Sequence, residues 1–368
     1  MTARPELGSG LRHLAQLARR PRPAGSDAER DARHYAAGVL TSVGFTVREE
    51  PFSYSAFPGR YATPIGGAAL GATIVLAGVR ALVAGGALAP AVILAVGAGT
   101  TIAFARVMLT WGVRTTPLLR AEGTNLVATR PGVEPRVWLV AHLDSKSQPV
   151  PSALRVVGVA TLAAALMLAV VAVALTLLGV GARTTWYVAL AAGVVGALPV
   201  MASVVGAQSD GAVDNASGVA AVLAAAERLH RTAACGVLLT SAEELGLAGA
   251  SAWARARAPG VALNCDGVDD DGAFVIMHDR PAPAEVIAAV RAAAPIGTPV
   301  RARRMPLGLL TDSSALASNG WRAVTVSHGS LATLRRIHRP ADNLLALRGT
   351  SIDAVADLLA RAAEALAT

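Results

Sequence analysis

The chain has 368 residues, enough for one large domain or two of ordinary size. Its composition is unusual, because 53% of the residues are hydrophobic and only 16% are charged, whereas about a quarter of the residues in a soluble protein carry a charge. The net charge is +8, but aromatic residues make up only 4% and form no cluster with the basic ones. This pattern excludes nucleic acid as an expected partner.

The N-terminal segment predicts two helices. Residues 1–30 carry many charges and no apolar core, so no signal peptide is predicted there. Apolar and basic residues alternate at helical spacing over residues 8–20, and Pro21 ends this helix. A second helix is predicted over residues 27–43, between a cap at Ser26 and a glycine stop.

Beyond these helices, strand-like and helix-like segments alternate. This alternation predicts an α/β domain with a mainly parallel central sheet, and catalytic residues are then expected at the carboxyl ends of the strands and in the loops that follow. The predicted strands are residues 46–52, 124–129, 136–141, 236–240, 261–264 and 323–327. The predicted helices are residues 217–230, 247–256, 284–293 and 350–367.

Four long uncharged stretches interrupt this pattern. Each reaches or exceeds the roughly 18 to 20 apolar residues that a helix needs to cross a bilayer. We therefore predict two inserted transmembrane helical hairpins, with turns near residues 85–90 and 179–185. Two pairs of buried core helices are the alternative. The uncharged stretches are residues 61–79, 81–105, 156–182 and 184–209.

The hairpins also predict the topology, because each hairpin returns the chain to the side from which it started. All polar segments then share one side, and only Arg80 and Arg183 lie toward the other. The positive-inside rule therefore predicts a multi-pass protein of the cell membrane whose polar domain lies in the cytoplasm. The arginines close to the spans on the polar side are Arg60, Arg106, Arg114, Arg120 and Arg155.

The expected domain organisation follows from the same stretches. The first hairpin is predicted at residues 61–109 and the second at residues 154–207. Residues 1–60, 110–153 and 208–368 would then form one discontinuous domain, with the main catalytic part in the last segment.

Five short polar motifs occur in a fixed order along this domain. His142 offers an imidazole to a borderline-soft cation, and Asp144 is placed to accept a hydrogen bond from a ligand histidine. Asp214 lies in a tight polar turn, where its two oxygens can bridge two cations. Asp266 and His338 would supply the outer ligands, one for each metal.

The adjacent residues Glu243 and Glu244 complete the set. Neighbouring side chains point apart, so one can bind a metal while the other faces the substrate water. A free carboxylate beside a metal site suits general-base catalysis. Nitrogen and oxygen donors without thiolate favour zinc, with manganese or cobalt as further options. The acidic run at residues 269–271 is interpreted instead as a solvated turn.

These motifs resemble those of the di-zinc aminopeptidase family, which includes secreted bacterial leucine aminopeptidases, glutamate carboxypeptidase and the non-catalytic transferrin receptor. The most specific matches are residues 140–145 (VAHLDS), 211–218 (GAVDNASG) and 242–247 (AEELGL). Residues 22–26 (RPAGS), 125–132 (NLVATRPG), 264–267 (NCDG) and 338–342 (HRPAD) also match, so the resemblance spans most of the non-apolar chain. It implies a three-layer zinc-exopeptidase-like fold.

The resemblance implies two Zn2+ ions per chain and a role for each ligand. His142 and Asp266 would bind one zinc, and Glu244 and His338 would bind the other. Asp214 would bridge the two ions.

The resemblance also implies catalytic roles. Glu243 would be the general base and then the proton shuttle to the leaving amine, and Asp144 would support the first ligand histidine. Asp312 matches an aspartate of the family near the substrate, but Ser313 stands where a histidine often follows. Ile337 likewise replaces a common aromatic residue before the last ligand. These changes affect the expected pocket and not the ligand set.

Together these features predict a membrane-anchored zinc exopeptidase, an aminopeptidase, that acts on peptides beside a lipid bilayer. One alternative is a single-zinc enzyme of the glutaminyl-cyclase type, and another is a non-catalytic receptor or scaffold on the same fold. Carboxypeptidase and dipeptidase activities also stay open, because no residue is evident that would hold the free terminus of a substrate.

Overall fold

The computed structural model describes residues 8–306 and 308–368. The chain divides into two compact units. Of the described residues, the α/β unit contains those up to Tyr54 and those within Ala121–Ser147 and Ala207–Thr368. The helical unit contains Ser55–Arg120 and Gln148–Gly206.

The elements are numbered in chain order. The strands are β1 (Thr46–Ser55), β2 (Arg120–Thr129), β3 (Val137–His142), β4 (Cys235–Thr240), β5 (Val261–Val268), β6 (Ala273–His278), β7 (Val300–Arg304) and β8 (Arg322–Gly329). The helices are α1 (Ser9–Leu17), α2 (Asp27–Ser42), α3 (Thr63–Ala84), α4 (Leu88–Val107), α5 (Val113–Thr115), α6 (Ser152–Leu177), α7 (Arg183–Met201), α8 (Gly218–Arg228), α9 (Ala248–Arg255), α10 (Ala284–Ala293), α11 (Asp312–Ser318), α12 (Thr333–Arg336) and α13 (Ile352–Ala367). Short π-helical segments are Pro58–Ala62, Met108–Gly112 and Ala212–Ser217.

Within the described residues, eight strands form a mixed sheet in the order β1-β2-β4-β3-β5-β8-β6-β7. The four central strands β4, β3, β5 and β8 are parallel, whereas β2 pairs antiparallel with β4, and β6 pairs antiparallel with β8. The α/β prediction is thus confirmed, and a parallel arrangement holds for the centre of the sheet. The sequence did not predict β6 and β7. Strand β7 reads VRARR and is mostly exposed, so it lacks the apolar signal of a central strand.

Two apolar clusters cover the two faces of the sheet. Side chains of successive strand residues point to opposite faces. Leu139 and Leu263 belong to the larger cluster, with helices α1, α2, α8, α10 and α13, whereas Trp138 and Val140 belong to the smaller one, with α9 and α11. The α/β unit therefore has three layers, as in the fold that the motifs imply.

The start of α2 shows how local sequence sets an element. The side chain of Ser26 accepts a hydrogen bond from the backbone N–H of Glu29 at 3.2 Å, and the Glu29 carboxylate accepts one from the N–H of Gly25 at 2.7 Å. The first bond satisfies a donor that the helix start leaves open, and the second ties the preceding turn to the helix. The predicted cap is confirmed, whereas the first helix ends at Leu17, earlier than predicted.

The helical unit contains four long apolar helices. By length and composition, Pro58–Ala84, Leu88–Thr115, Ser152–Leu177 and Arg183–Met201 are able to cross a membrane. Small residues bring them together: a Cβ added at Gly71 on α3 would lie 2.7 Å from the Cβ of Ala197 on α7. The guanidinium of Arg80 reaches the end of α3, where it donates to the carbonyl of Gly85 at 2.9 Å.

Candidate metal centre

The predicted site residues come from elements at one edge of the sheet. His142 ends β3 and pairs in register with Thr240, the last residue of the parallel strand β4. Glu243 and Glu244 follow β4 closely in the chain. Asp266 was expected after its strand but lies inside β5, where the register shifts between Cys265 and Val268.

Asp214 lies in the irregular segment that leads into α8, and a glycine permits the turn before it. Gly211 has a φ of 58°, and a Cβ there would lie 2.4 Å from the carbonyl oxygen of Asp214. His338 follows the short helix α12. Asp214 and His338 are far apart in the chain but lie close together in the fold.

The ligand residues form two groups that share Asp214. In the first group, Nε2 of His142 lies 3.2 Å from Oδ1 of Asp214 and 3.8 Å from Oδ1 of Asp266. In the second, Nε2 of His338 lies 2.8 Å from Oδ2 of Asp214 and 3.5 Å from Oε1 of Glu244. Each group offers ligand atoms within 4.8 Å of one another. Since Asp214 turns a different oxygen toward each group, it is placed to bridge two cations.

Glu243 stands beside these groups without belonging to either of them. Its Oε2 lies 4.0 Å from Nε2 of His142, and the residue is 7% exposed. The carboxylate is therefore close to the ligand atoms and still free to act on a water or a substrate.

Asp144 supports the site differently from the prediction. Its carboxylate lies 3.7 Å from Nδ1 of His142, and the hydrogen bond from Nδ1 goes to the backbone carbonyl of Asp144 at 3.0 Å. The carboxylate instead accepts the backbone N–H groups of Glu243 and Glu244, both at 3.1 Å. Asp144 thus orients the glutamate pair through its side chain and the histidine through its main chain.

The hydrogen bonds also test whether a cation fits. A carbonyl only accepts, so Nδ1 of His142 donates to it, and Nε2 is the ring nitrogen that is left for a cation. Among the described residues, that Nε2 and Oε1 of Glu244 are buried without a hydrogen-bond partner. Two imidazoles and three carboxylates with no thiolate are a donor set that zinc accepts. The residues therefore fit a zinc site.

Lys146 is a charged residue of the site that sequence reasoning missed. Its Nζ lies 2.5 Å from Oε2 of Glu244, and its side chain is only 16% exposed. The available signals were its position close behind His142 and its status as the only lysine of the chain.

The pKa values of the carboxylates are shifted in opposite directions, which indicates different roles. Burial raises the pKa of Glu243 well above its ordinary value, against the attraction of His142 and with the repulsion of Glu244. Burial acts in the same sense on Asp214, but the adjacent histidines hold its pKa well below the ordinary value. Burial also opposes ionisation of Glu244, but the ammonium of Lys146 lowers its pKa to about 2. Glu243 is thus the carboxylate best suited to take up a proton, whereas Asp214 and Glu244 stay ionised.

Two further buried residues hold the site together, and the sequence assigned them no role. Arg22 donates to the carbonyls of Leu143 at 2.9 Å and Gly211 at 3.1 Å, next to two ligand-bearing segments. Asp342 accepts the backbone N–H groups of Val213 at 2.7 Å and Asp214 at 3.2 Å. Both belong to the matched motifs RPAGS and HRPAD, which was the only signal.

Asp312, the candidate substrate-binding residue, is fully buried at the start of α11. Its carboxylate accepts a hydrogen bond from the hydroxyl of Thr240 at the end of β4. Burial raises its pKa to about 7, against the attraction of His142. Its role toward substrate stays a prediction.

The acidic run at residues 269–271 is not simply a solvated turn, so that interpretation was wrong. Asp269 is 6% exposed and accepts hydrogen bonds from Arg336 at 2.6 Å and Thr333 at 2.7 Å. Both donors lie on α12, directly before His338. The Asp269–Arg336 pair therefore holds the segment that presents the last ligand.

Comparisons with known proteins identify the family and the fold. The sequence model of peptidase family M28 matches residues 125–363. The fold is similar to that of an aminopeptidase from Aneurinibacillus sp. strain AM-1, with 15% identity, a TM-score of 0.54, and 96% of this chain and 92% of that chain covered. BSAP, a zinc aminopeptidase from Bacillus subtilis, has 14% identity and a TM-score of 0.56, with 96% and 93% covered.

The glutaminyl cyclase of Porphyromonas gingivalis is also similar, with 14% identity, a TM-score of 0.55, and 97% of each chain covered. At such low identity, the three structures support the fold and not a particular reaction. No curated protein matches the sequence.

Proposed function

Because this chain belongs to peptidase family M28, we propose that it is a membrane-anchored, zinc-dependent aminopeptidase with a two-metal site. The observation that carries the proposal is the pair of ligand groups that share Asp214, with Glu243 beside them. The family and its aminopeptidase neighbours support a peptide hydrolase. Because the family and these neighbours are peptidases, a peptide is the proposed substrate.

The ligand assignment follows the two groups. His142, Asp214 and Asp266 would hold one zinc, and Asp214, Glu244 and His338 would hold the other. When bound, the ions would supply a Lewis acid that acidifies water and polarises a carbonyl.

The protein's own residues would handle the proton. Glu243, whose pKa is raised by burial, would take a proton from the attacking water and return it to the leaving amine. Asp144 holds the backbone of Glu243 and Glu244 by two hydrogen bonds, so the base keeps its position during this transfer. Arg22 and Asp342 would keep the ligand-bearing loops in register.

Membrane anchoring is supported by the four long apolar helices of the helical unit. Charged residues in that unit are arginines, and the unit contains no aspartate or glutamate. The excess of arginine near the polar side supports a cytoplasmic α/β unit. Recovery of the protein in a carbonate-washed membrane fraction, with the C-terminus accessible to a cytoplasmic labelling reagent, is the expected result. A soluble protein would contradict the membrane anchoring, and labelling only from outside would contradict the cytoplasmic location of the α/β unit.

The enzymatic part is tested with a panel of aminoacyl-4-nitroanilides and detergent-purified full-length protein. Hydrolysis that stops on zinc chelation and returns with added zinc is expected. No hydrolysis of any aminoacyl substrate by protein with metal bound would overturn the aminopeptidase assignment. Tests with N-blocked peptides and dipeptides would then separate a carboxypeptidase from a dipeptidase.

A second candidate is a glutaminyl cyclase, favoured by the similarity to the Porphyromonas gingivalis enzyme. A peptide with an N-terminal glutamine distinguishes the two reactions. Loss of ammonia with no cleavage of the chain would support the cyclase, whereas release of free glutamine supports the aminopeptidase.

A further inference from the structure

The two ligand groups differ in one contact, which Lys146 makes. Its ammonium lies 2.5 Å from Oε2 of Glu244, a member of the second group. In the first group, Asp266 pairs with His142, and no lysine or arginine pairs with Asp266 among the described residues. A fixed positive charge is therefore built into one half of the site.

Because of this contact, the two oxygens of Glu244 have different surroundings. Oε2 faces Lys146, whereas Oε1 lies 3.5 Å from Nε2 of His338 and is buried without a hydrogen bond among the described residues. Only Oε1 is thus available to a cation held with Asp214 and His338. Glu244 would act as a one-oxygen ligand.

The surroundings give Lys146 little freedom to leave. Its side chain is 16% exposed and that of Glu244 is 4% exposed. A buried ammonium without its carboxylate would lose both solvation and partner, which is costly. The positive charge is consequently a permanent part of the second group.

We propose that Lys146 makes the two zinc positions unequal: it holds Glu244 to one oxygen and weakens cation binding by the Asp214–Glu244–His338 group. The His142–Asp214–Asp266 group would retain zinc when the ion is scarce, and the second position would exchange it. This inference rests on the proposed function for the metal itself. The resulting enzyme would gain its second zinc, and with it full activity, only at higher zinc concentration.

The expected size of the effect comes from Coulomb's law. A unit charge and a divalent cation about 6 Å apart repel each other, even at the dielectric constant of water, enough to change an affinity about tenfold. The partly buried site has a lower effective dielectric constant, so this value is a lower bound.

The test is a zinc titration of the metal-stripped, full-length protein in detergent, followed by calorimetry and by competition with a zinc chelator. The wild type is expected to bind two ions in well-separated steps. Lys146→Met should tighten the weaker step at least about tenfold and leave the tighter step within about twofold. Lys146→Arg keeps the charge and should titrate like the wild type. Asp266→Asn should weaken the tighter step, which assigns it to the first group.

Folding of each variant is checked by its thermal unfolding midpoint, and Lys146→Gln replaces Lys146→Met if the latter does not fold. An unchanged or weakened second step in the uncharged variants would overturn the inference. If the wild type binds two ions and hydrolyses peptides while Lys146→Met binds zinc unchanged, only the role of Lys146 fails. If the wild type neither binds zinc nor hydrolyses peptides, the proposed function fails as well.

Discussion

Most large apolar side chains of the α/β unit are buried, whereas many of those in the helical unit are exposed. Leu139 and Leu263 on the central strands have no exposed surface. On the helices, Leu76, Val96 and Met167 are 61%, 63% and 65% exposed. Water explains the first arrangement, because burial of apolar surface stabilises a fold there. The second arrangement supports the proposed membrane anchoring, since soluble monomers rarely expose large contiguous apolar patches.

Charge follows the same division. The α/β unit buries charged groups in pairs or against backbone groups, as Arg22 and Asp269 illustrate. The helical unit contains arginine as its charged residue type, and Arg80 bonds the carbonyl of Gly85 at the end of α3. A helix in lipid satisfies its own backbone and has no need of such pairs. The two units thus differ in how they place their charged groups.

The largest expected effect concerns the α/β unit alone. Glu243→Gln removes the proposed base and should lower aminoacyl-4-nitroanilide hydrolysis by about 10²- to 10⁴-fold, while zinc content and membrane association stay unchanged. Glu134→Gln, at an exposed position of the same unit, is the matched control and should be fully active. Full activity of Glu243→Gln would refute the assigned base.

Two exposed apolar residues, one in each unit, test whether the helical unit lies in lipid. Leu76 lies near the middle of α3 and is 61% exposed, and Ile296 in the α/β unit is fully exposed. An aspartate at the centre of a membrane span costs about 2.5 to 3.5 kcal/mol. Leu76→Asp should therefore reduce the amount of protein recovered in washed membranes, whereas Ile296→Asp should not. Equal recovery of both variants would argue against a lipid surrounding for α3.

A buried carboxyl of the α/β unit predicts a pH dependence that the helical unit lacks. Burial, with repulsion from Asp144, raises the pKa of Glu29 from 4.5 to about 7. Between these values the folded state holds a proton that the unfolded state has released, so stability falls as pH rises through that window and is level above it. Glu29→Gln should match the wild type near pH 5 and exceed its stability by up to about 3 kcal/mol at pH 8.

The measurement is the difference between the thermal unfolding midpoints of the two proteins at both pH values. A difference that does not change with pH would contradict a raised pKa.

The smallest expected effect concerns the contact that holds α12. Asp269→Asn keeps the shape of the side chain but removes the charge paired with Arg336. A hydrogen bond to a charged group contributes about 1.5 to 3 kcal/mol, and part of it is retained, so a loss of about 1 kcal/mol is expected. Zinc binding should weaken severalfold, since the segment before His338 is loosened. Asp271→Asn, at an exposed neighbouring position, should change neither the unfolding midpoint nor the zinc affinity.

Much of the fold was accessible from local patterns. The six residues of β3 are all buried, and the first five form a continuous apolar run, which is typical of a central parallel strand. The helix after Ser26 begins with a cap that the sequence predicts. Strand β7 was missed because an arginine-rich edge strand carries no apolar period, and its pairing with β6 joins residues distant in the chain.

The candidate site, like the fold, was predicted only in part from the sequence. The motifs and their order determined which side chains were candidates, because histidine and carboxylate donors after strands have a limited number of uses. They did not reveal that Asp144 holds the glutamates through its side chain, or that Lys146 occupies one oxygen of Glu244. Such contacts depend on which loops meet at one edge of the sheet.

Sequence by itself determined the family, the polar ligand candidates and the four apolar stretches, since each rests on residue type and short-range spacing. Only the tertiary structure showed that the Asp144 carboxylate accepts the backbone N–H groups of Glu243 and Glu244, and that Asp269 binds α12 instead of water. It also decided the asymmetry of charge around the two groups. Distances of a few ångströms between residues far apart in the chain control electrostatic energies, and no local pattern encodes those distances.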